Sequence, residues 1–404
     1  MLLLKKIGCR AVQTAFRAAL PILPYREPQV LRSCAELNGV FQKEHIHSVL
    51  VVTDKGIVDS GLLSPLLEVL EKSGVSYTVY DKTQPNPTVH NVEEALCAYD
   101  HGGCEGLVAI GGGSAMDCAK AVGARVEYSN KQLSQLGGVL RILRRLPTLI
   151  TIPTTAGTGS EATLAAVVTD SDSHRKYALM SFPLIPHYAV LDATLTYTLP
   201  PHLTATTGMD ALTHAVEAYI GRSTNTETRA LALEAIGLVF RHVERAYQNG
   251  QDHEAREGML HAAYKAGVAF SKSYVGYIHA LAHSLGGRYG TPHGLANAVI
   301  MPYVLEAYGP CIHKKLHRLG VVSGVCAENE LPGVGAQKFI DAIRQLNRNM
   351  GIPEKISGIC REDIAEMARH AEKEANPLYP VPKLMTRREL ETFYYKFADW
   401  SVKR

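Results

Sequence analysis

Five side chains in the second half of this 404-residue sequence have the types and spacing to do chemistry together. In Thr207-Gly208-Met209-Asp210-Ala211-Leu212-Thr213-His214 a carboxylate and an imidazole stand four residues apart. On a helix that spacing places both on one face, one turn apart. His279-Ala280-Leu281-Ala282-His283 repeats the spacing with two imidazoles, and Thr291-Pro292-His293-Gly294 adds a histidine in a turn. One carboxylate with three imidazoles from this group is a mixed nitrogen–oxygen set suited to a first-row divalent ion. With an open coordination position, such a site can polarise an alcohol oxygen. Any one of these histidines alone has a plainer reading as a packing or surface residue. Two i, i+4 pairs and a turn histidine in one stretch are harder to explain that way.

The first half carries a different chemistry. The apolar run Leu107–Ile110 leads into Gly111-Gly112-Gly113-Ser114-Ala115-Met116-Asp117, which reads as strand, tight turn and helix start. Glycines let backbone approach a pyrophosphate, and the free N–H groups and dipole of a helix start favour its charge. Ser114 can cap the helix and also touch phosphate. The spacing is not the GxGxxG dinucleotide fingerprint, so a plain strand–helix turn is an equal reading of this segment alone. A second loop, Thr154-Thr155-Ala156-Gly157-Thr158-Gly159-Ser160-Glu161, also follows a strand. Thr154, Thr155 and Thr158 could bond phosphate, ribose and nicotinamide amide at the strand ends, where open α/β sheets bind ligands. Asp54 ends another strand, where an acid can accept from the adenosine ribose and repel a 2′-phosphate. That favours NAD over NADP, although Asp54 reads equally well as the cap of the next helix.

The elements that must position these residues fall into two groups. Ser48–Thr53, Tyr77–Tyr80, Leu107–Ile110, Leu149–Ile152 and Ala189–Leu191 are short apolar runs separated by helical stretches, the pattern of a parallel sheet covered on both faces. After Pro200-Pro201 the period becomes helical, as in Glu227–Tyr247. The expected organisation is an α/β dinucleotide-binding domain over 1–200, with 1–30 as an N-terminal extension, and an all-α metal-binding domain over 201–404. Composition is that of a folded globular chain, 46% hydrophobic and 20% charged, and the net charge of +3 with no basic–aromatic run argues against a nucleic-acid surface. No apolar stretch is long enough to span a membrane. The eight scattered cysteines form no CxxC pair and read as reduced, buried thiols of a cytoplasmic protein. Residues 1–21 carry Lys5, Lys6, Arg10 and Arg17 and no acid. A mitochondrial presequence has that composition. The plainer expectation is an amphipathic helix, with Leu4, Ile7, Ala11 and Leu20 near one stripe, docked on the body or on a partner subunit.

Taken together the motifs resemble those of the iron-dependent (group III) alcohol dehydrogenases. GGGSAMDCAK at Gly111–Lys120, PTTAGTGSE at Pro153–Glu161, GMDALTHAVE at Gly208–Glu217, HALAHSLG at His279–Gly286 and TPHGLANA at Thr291–Ala298 stand in that family's order. The resemblance runs from about Ser48 to Pro302 and more weakly to the end. It implies a dehydroquinate synthase-like two-domain fold. It also implies Asp210, His214, His279 and His293 as ligands of Fe(2+), with Zn(2+) as the alternative. His283 matches the motif histidine near the nicotinamide, as a proton relay or positioning group, with a packing role as the plainer reading. Asn86, Gly113, Ser114, Thr155, Thr158, Val167 and Lys176 match cofactor-contacting positions, and Asp54 an acidic position that disfavours NADP. Gly112, Asp117 and Thr154, in the same two loops, complete the expected cofactor set. The implied reaction is hydride transfer between NAD and a small alcohol or diol, in a homodimer or larger homo-oligomer. An NAD-using lyase or cyclase of the dehydroquinate synthase type is the alternative; a non-catalytic binding protein would require lost ligands, and none is lost. One departure stands out: the chain before Ser48 is longer than usual, and Arg26-Glu27-Pro28 occupies the place of the usual opening strand.

Overall fold

Side chains alternate along the central strands of the first half. Val49, Val51, Val108, Ile110, Ile150 and Ile152 join one buried cluster, and Leu50, Val52, Leu107, Ala109 and Leu149 join another. Successive strand residues point to opposite faces, so both faces of this sheet are buried. Helices Leu37–Glu44 and Ser64–Lys72 supply the first cluster, and Val89–His101 and Gly113–Glu127 the second. Each fully buried Val, Leu or Ile contributes about 1.5–3 kcal/mol.

A computed structural model of the chain describes residues 3–170 and 175–401. It divides into two compact units, Pro24–Leu199 and Met1–Leu23 with Pro200–Arg404. In the first unit the strands are β1 (Gln29–Leu31), β2 (Ser48–Val52), β3 (Ser76–Tyr80), β4 (Gly106–Gly111), β5 (Gly138–Val139), β6 (Thr148–Pro153), β7 (Ala165–Asp170), β8 (Arg175–Met180) and β9 (Tyr188–Val190). Six of them form a parallel sheet in the order β1-β9-β6-β4-β2-β3. The chain leaves β2 toward β3 on one side and leaves β4 toward β6 on the other. The crevice between the carboxyl ends of β2 and β4 is therefore a topological switch point, the usual ligand position in open α/β sheets. Asp54 and the triple glycine end these two strands. The antiparallel pair β7–β8, with β5 alongside, forms a separate three-stranded sheet.

The opening strand is β1, directly after Arg26-Glu27-Pro28. It has only three residues, too few to show a period. Arg26 donates to Pro186 O and Ile185 O and so tethers the chain beside β9.

The second unit is helical. The Pro201–Ile220 helix is buried over most of its length and the His293–Tyr308 helix is apolar on nearly every side, as central helices of a bundle are. The Thr226–Gln248 and His253–Ser273 helices pack against Pro201–Ile220. The Leu3–Ala19 helix belongs to this unit and not to the α/β one, which corrects the expectation that residues 1–30 extend the dinucleotide-binding domain. Arg10 and Gln13 hydrogen-bond to the backbone of residues 377–382, and such long-range pairing cannot be read from a local pattern.

Candidate metal centre and glycine loops

Asp210, His214, His279 and His293 each offer one ligand atom, and these four atoms all lie within 4.8 Å of one another. Asp210 and His214 come from one turn of the Pro201–Ile220 helix, as their spacing requires. His279 lies in the first turn of the Tyr277–Tyr289 helix, and His293 opens the His293–Tyr308 helix. Two glycines allow these helices to meet. A Cβ on Gly294 would collide with Thr206 O, and one on Gly276 would sit 2.6 Å from Glu217 Oε1.

Burial makes the cluster costly without a partner. Asp210 and His279 are each 2% exposed and His214 5%. His279 Nδ1 donates to Glu217 Oε2 at 2.7 Å. Glu217 also accepts from the Gly276 and Ile278 backbone N–H groups, at 2.6 and 2.8 Å. That bond fixes the tautomer, leaving the lone pair on His279 Nε2 turned toward the cluster. Nε2 is buried with no hydrogen-bond partner, and lies 3.9 Å from Asp210 Oδ1. Burial holds the His279 ring well below the usual histidine range, so it is neutral, as a ligand must be. Burial also pushes the Glu217 carboxyl up to about 7. His214 stacks between Phe270 and His279, with ring centroids 4.2 and 4.4 Å away. Asn297 Nδ2 donates to Asp210 Oδ1 at 2.7 Å, and His293 Nε2 stands 3.4 Å from the same oxygen. The neutral His279 imidazole with its orphaned lone pair, beside a carboxylate and two further imidazoles, fits a divalent cation.

His283 lies one turn beyond His279, its ring stacked on His293 at 5.1 Å. Its Nδ1 is 2.6 Å from Glu374 Oε1, which also accepts from Tyr379 OH at 2.7 Å. Burial would raise the Glu374 carboxyl, but the charge and hydrogen bond of His283 and the bond from Tyr379 outweigh it and hold it low.

In the α/β unit, Gly112 and Gly113 begin the Gly113–Glu127 helix against the threonine loop. A Cβ on Gly113 would lie 2.8 Å from Thr158 Cγ2, and one on Gly112 3.6 Å from Thr155 Cγ2. The Thr154 N–H donates to Gly111 O at 3.0 Å, joining the two loops. Ser114 Oγ accepts from the Asn86 N–H at 3.2 Å, and Lys176 Nζ donates to Asn86 Oδ1 at 2.7 Å. Six of the expected cofactor residues are thus brought around the triple glycine. Asp117 is occupied internally: Ser160 Oγ donates to Oδ1 at 2.7 Å and the Val167 N–H to Oδ2 at 2.9 Å. Asp117 and the Val167 amide therefore brace the loop. Asp54 caps its helix, accepting from the Ile57 N–H at 3.2 Å, so the capping reading holds.

Sequence reasoning passed over Glu217, Asn297, Lys120 and Glu374. The first three stand inside the quoted motifs, where only burial reveals their roles. Fully buried Lys120 places Nζ 2.7–3.0 Å from Ser160 O, Ser160 Oγ, Thr163 O, Thr163 Oγ1 and Ala165 O, which share its three N–H groups and fix the end of the threonine loop. Glu374 lies outside every motif, and nothing in the sequence marks it.

The profile described as "Iron-containing alcohol dehydrogenase" matches residues 31–193, and that of the "Fe-containing alcohol dehydrogenase family, C-terminal" matches residues 204–397. The chain is 39% identical over 380 residues to alcohol dehydrogenase 4 of Schizosaccharomyces pombe, covering 91% of this chain and 88% of that protein. It is similar to the crystal structure of 1,3-propanediol oxidoreductase, with a TM-score of 0.88, 33% identity, and coverage of 92% and 98%. It is also similar to sulfoacetaldehyde reductase from Bifidobacterium kashiwanohense in complex with NAD+, with a TM-score of 0.82, 29% identity, and coverage of 93% and 99%.

Proposed function

Because the chain belongs to the iron-containing alcohol dehydrogenase family and is a metal-dependent alcohol dehydrogenase, we propose that it passes hydride between NAD and a small alcohol or diol, with Asp210, His214, His279 and His293 holding Fe(2+). Zn(2+) fits the same donors, and metal supply decides between the two. The observation that carries this reading is the buried, partnerless Nε2 of His279 within a cluster whose four ligand atoms lie inside 4.8 Å. The lyase alternative is not favoured, since the relatives are dehydrogenases and reductases.

When bound, the cation supplies Lewis acidity toward an alcohol oxygen and the nicotinamide supplies the hydride acceptor. The chain's own residues do the rest. Glu217 fixes the His279 tautomer, and Asn297 orients Asp210. In its neutral form His283, with its Nδ1 proton held by Glu374, presents Nε2 as the atom that accepts a proton or positions the nicotinamide. Gly112, Gly113 and Ser114 cradle the pyrophosphate at a helix start. Asn86, Thr154, Thr155, Thr158 and Lys176 contact the dinucleotide, while Asp117 and Val167 hold the loop that does so. Asp54 disfavours a 2′-phosphate, which makes NAD the preferred dinucleotide.

The same reading makes the enzyme a cytoplasmic homo-oligomer. Eight free cysteines suit a reducing compartment, although Cys97 and Cys311 are exposed and not buried as the sequence suggests, and β1 is an edge strand that a second copy can extend. No described helix is long and apolar enough to cross a membrane. The test is NADH formation by anaerobically iron-loaded protein on a panel containing ethanol, 1,3-propanediol and 1,2-propanediol, with NADP compared. His279→Ala should lose both metal and turnover; full occupancy with undiminished turnover would defeat the ligand assignment.

A further inference from the structure

The Leu3–Ala19 helix docks in an unusual way. Leu4, Ile7 and Val12 stay 82%, 57% and 45% exposed, so these three apolar residues do not drive the contact. Its anchors are polar and directional. Gln13, 3% exposed, donates from Nε2 to Pro377 O at 3.2 Å and Tyr379 O at 2.7 Å. Arg10 donates from its two terminal nitrogens to Val381 O at 2.7 Å and Pro382 O at 3.0 Å, and also holds Gln13 Oε1 at 2.7 Å. Phe16 packs edge-on against Tyr274, 4.9 Å between centroids, and Tyr274 lies 6.3 Å from Tyr379.

All four carbonyls belong to one segment, 377–382, and that segment carries Tyr379. The Tyr379 hydroxyl and the His283 ring converge on a single oxygen, Glu374 Oε1, at 2.7 and 2.6 Å. A displaced Tyr379 would leave that oxygen with one donor fewer and loosen the orientation of His283. Outer partners of this kind set the orientation of the group they hold. We propose that the Leu3–Ala19 helix is a positioning strap for the reaction: Gln13 and Arg10 hold residues 377–382 so that Tyr379 keeps Glu374 on His283. This rests on the role given above to His283.

The experiment is a coupling test on the full chain, iron-loaded, with NAD and 1,3-propanediol. Gln13→Leu and Tyr379→Phe should each lower kcat by about tenfold, the lower range for such outer partners. The double variant should fall no further, because both changes cut one path. Metal content and KM for NAD should stay at wild-type values. Arg10→Met should behave like Gln13→Leu, and Arg10→Lys, which can still donate to a carbonyl, should recover most of the loss. A double variant reduced about a hundredfold, or Arg10→Met with wild-type kcat, overturns the proposal. Should Gln13→Leu not fold, the Arg10 pair decides alone. If the dehydrogenase reading itself fails, the wild-type chain shows no NADH formation with any alcohol; if only the strap fails, the wild type turns over and the variants match it.

Discussion

The metal cluster and the glycine loops are built from opposite materials. The cluster consists of helix side chains, three of the four buried, and two of those are held by another buried side chain: His279 by Glu217, Asp210 by Asn297. The loops consist largely of backbone at strand ends, with glycines chosen for what they lack. A rigid ligand set must be preassembled because a cation tolerates little error in distance, and burial enforces that. A dinucleotide is large and contacts many weak donors, so shape and open N–H groups suffice. Damage to the cluster should therefore be severe and local, and damage to the loops graded.

The largest separation between the two should come from chelation. Stripping the metal should lower turnover by about three orders of magnitude, since several kcal/mol of charge stabilisation is removed. NADH binding, followed by fluorescence titration, should persist; its loss would break the comparison. Next is Glu217→Gln, which keeps shape but weakens the acceptor of three hydrogen bonds. Metal affinity should fall about 10–100-fold by competition with a chromophoric chelator, with KM for NAD unchanged. The reciprocal case is Gly113→Val, whose side chain would run into Thr158. KM for NAD should rise about tenfold, roughly 1.4 kcal/mol of binding, while metal content stays full. The smallest effect belongs to Asp54→Ala. Loss of its cap on Ile57 should cost about 1 kcal/mol in denaturant unfolding, and the preference for NAD over NADP should narrow. An unchanged preference would leave Asp54 as a cap alone.

Much of this was legible because periods and spacings are local. Asp210 and His214 read as a pair through the helical turn, and Val49–Val52 as a strand buried on both sides through its continuous apolar run. The antiparallel pair β7–β8 and strand β1 were not legible: the first two are short runs that mix apolar and polar residues, and the last is too short to have a pattern. Asp117 looked like a ligand contact because it follows the glycines, and only packing shows its two oxygens already taken.

The sequence alone determined the donor types, their helical spacing, the glycine turns and the change from strand to helix near Pro200, because each depends on residues a few positions apart. The tertiary structure decided which imidazoles converge, which of their nitrogens carries the proton, and which unit the Leu3–Ala19 helix joins. Those outcomes depend on contacts between residues tens to hundreds of positions apart, and on burial that turns an ordinary glutamate into the partner that fixes His279.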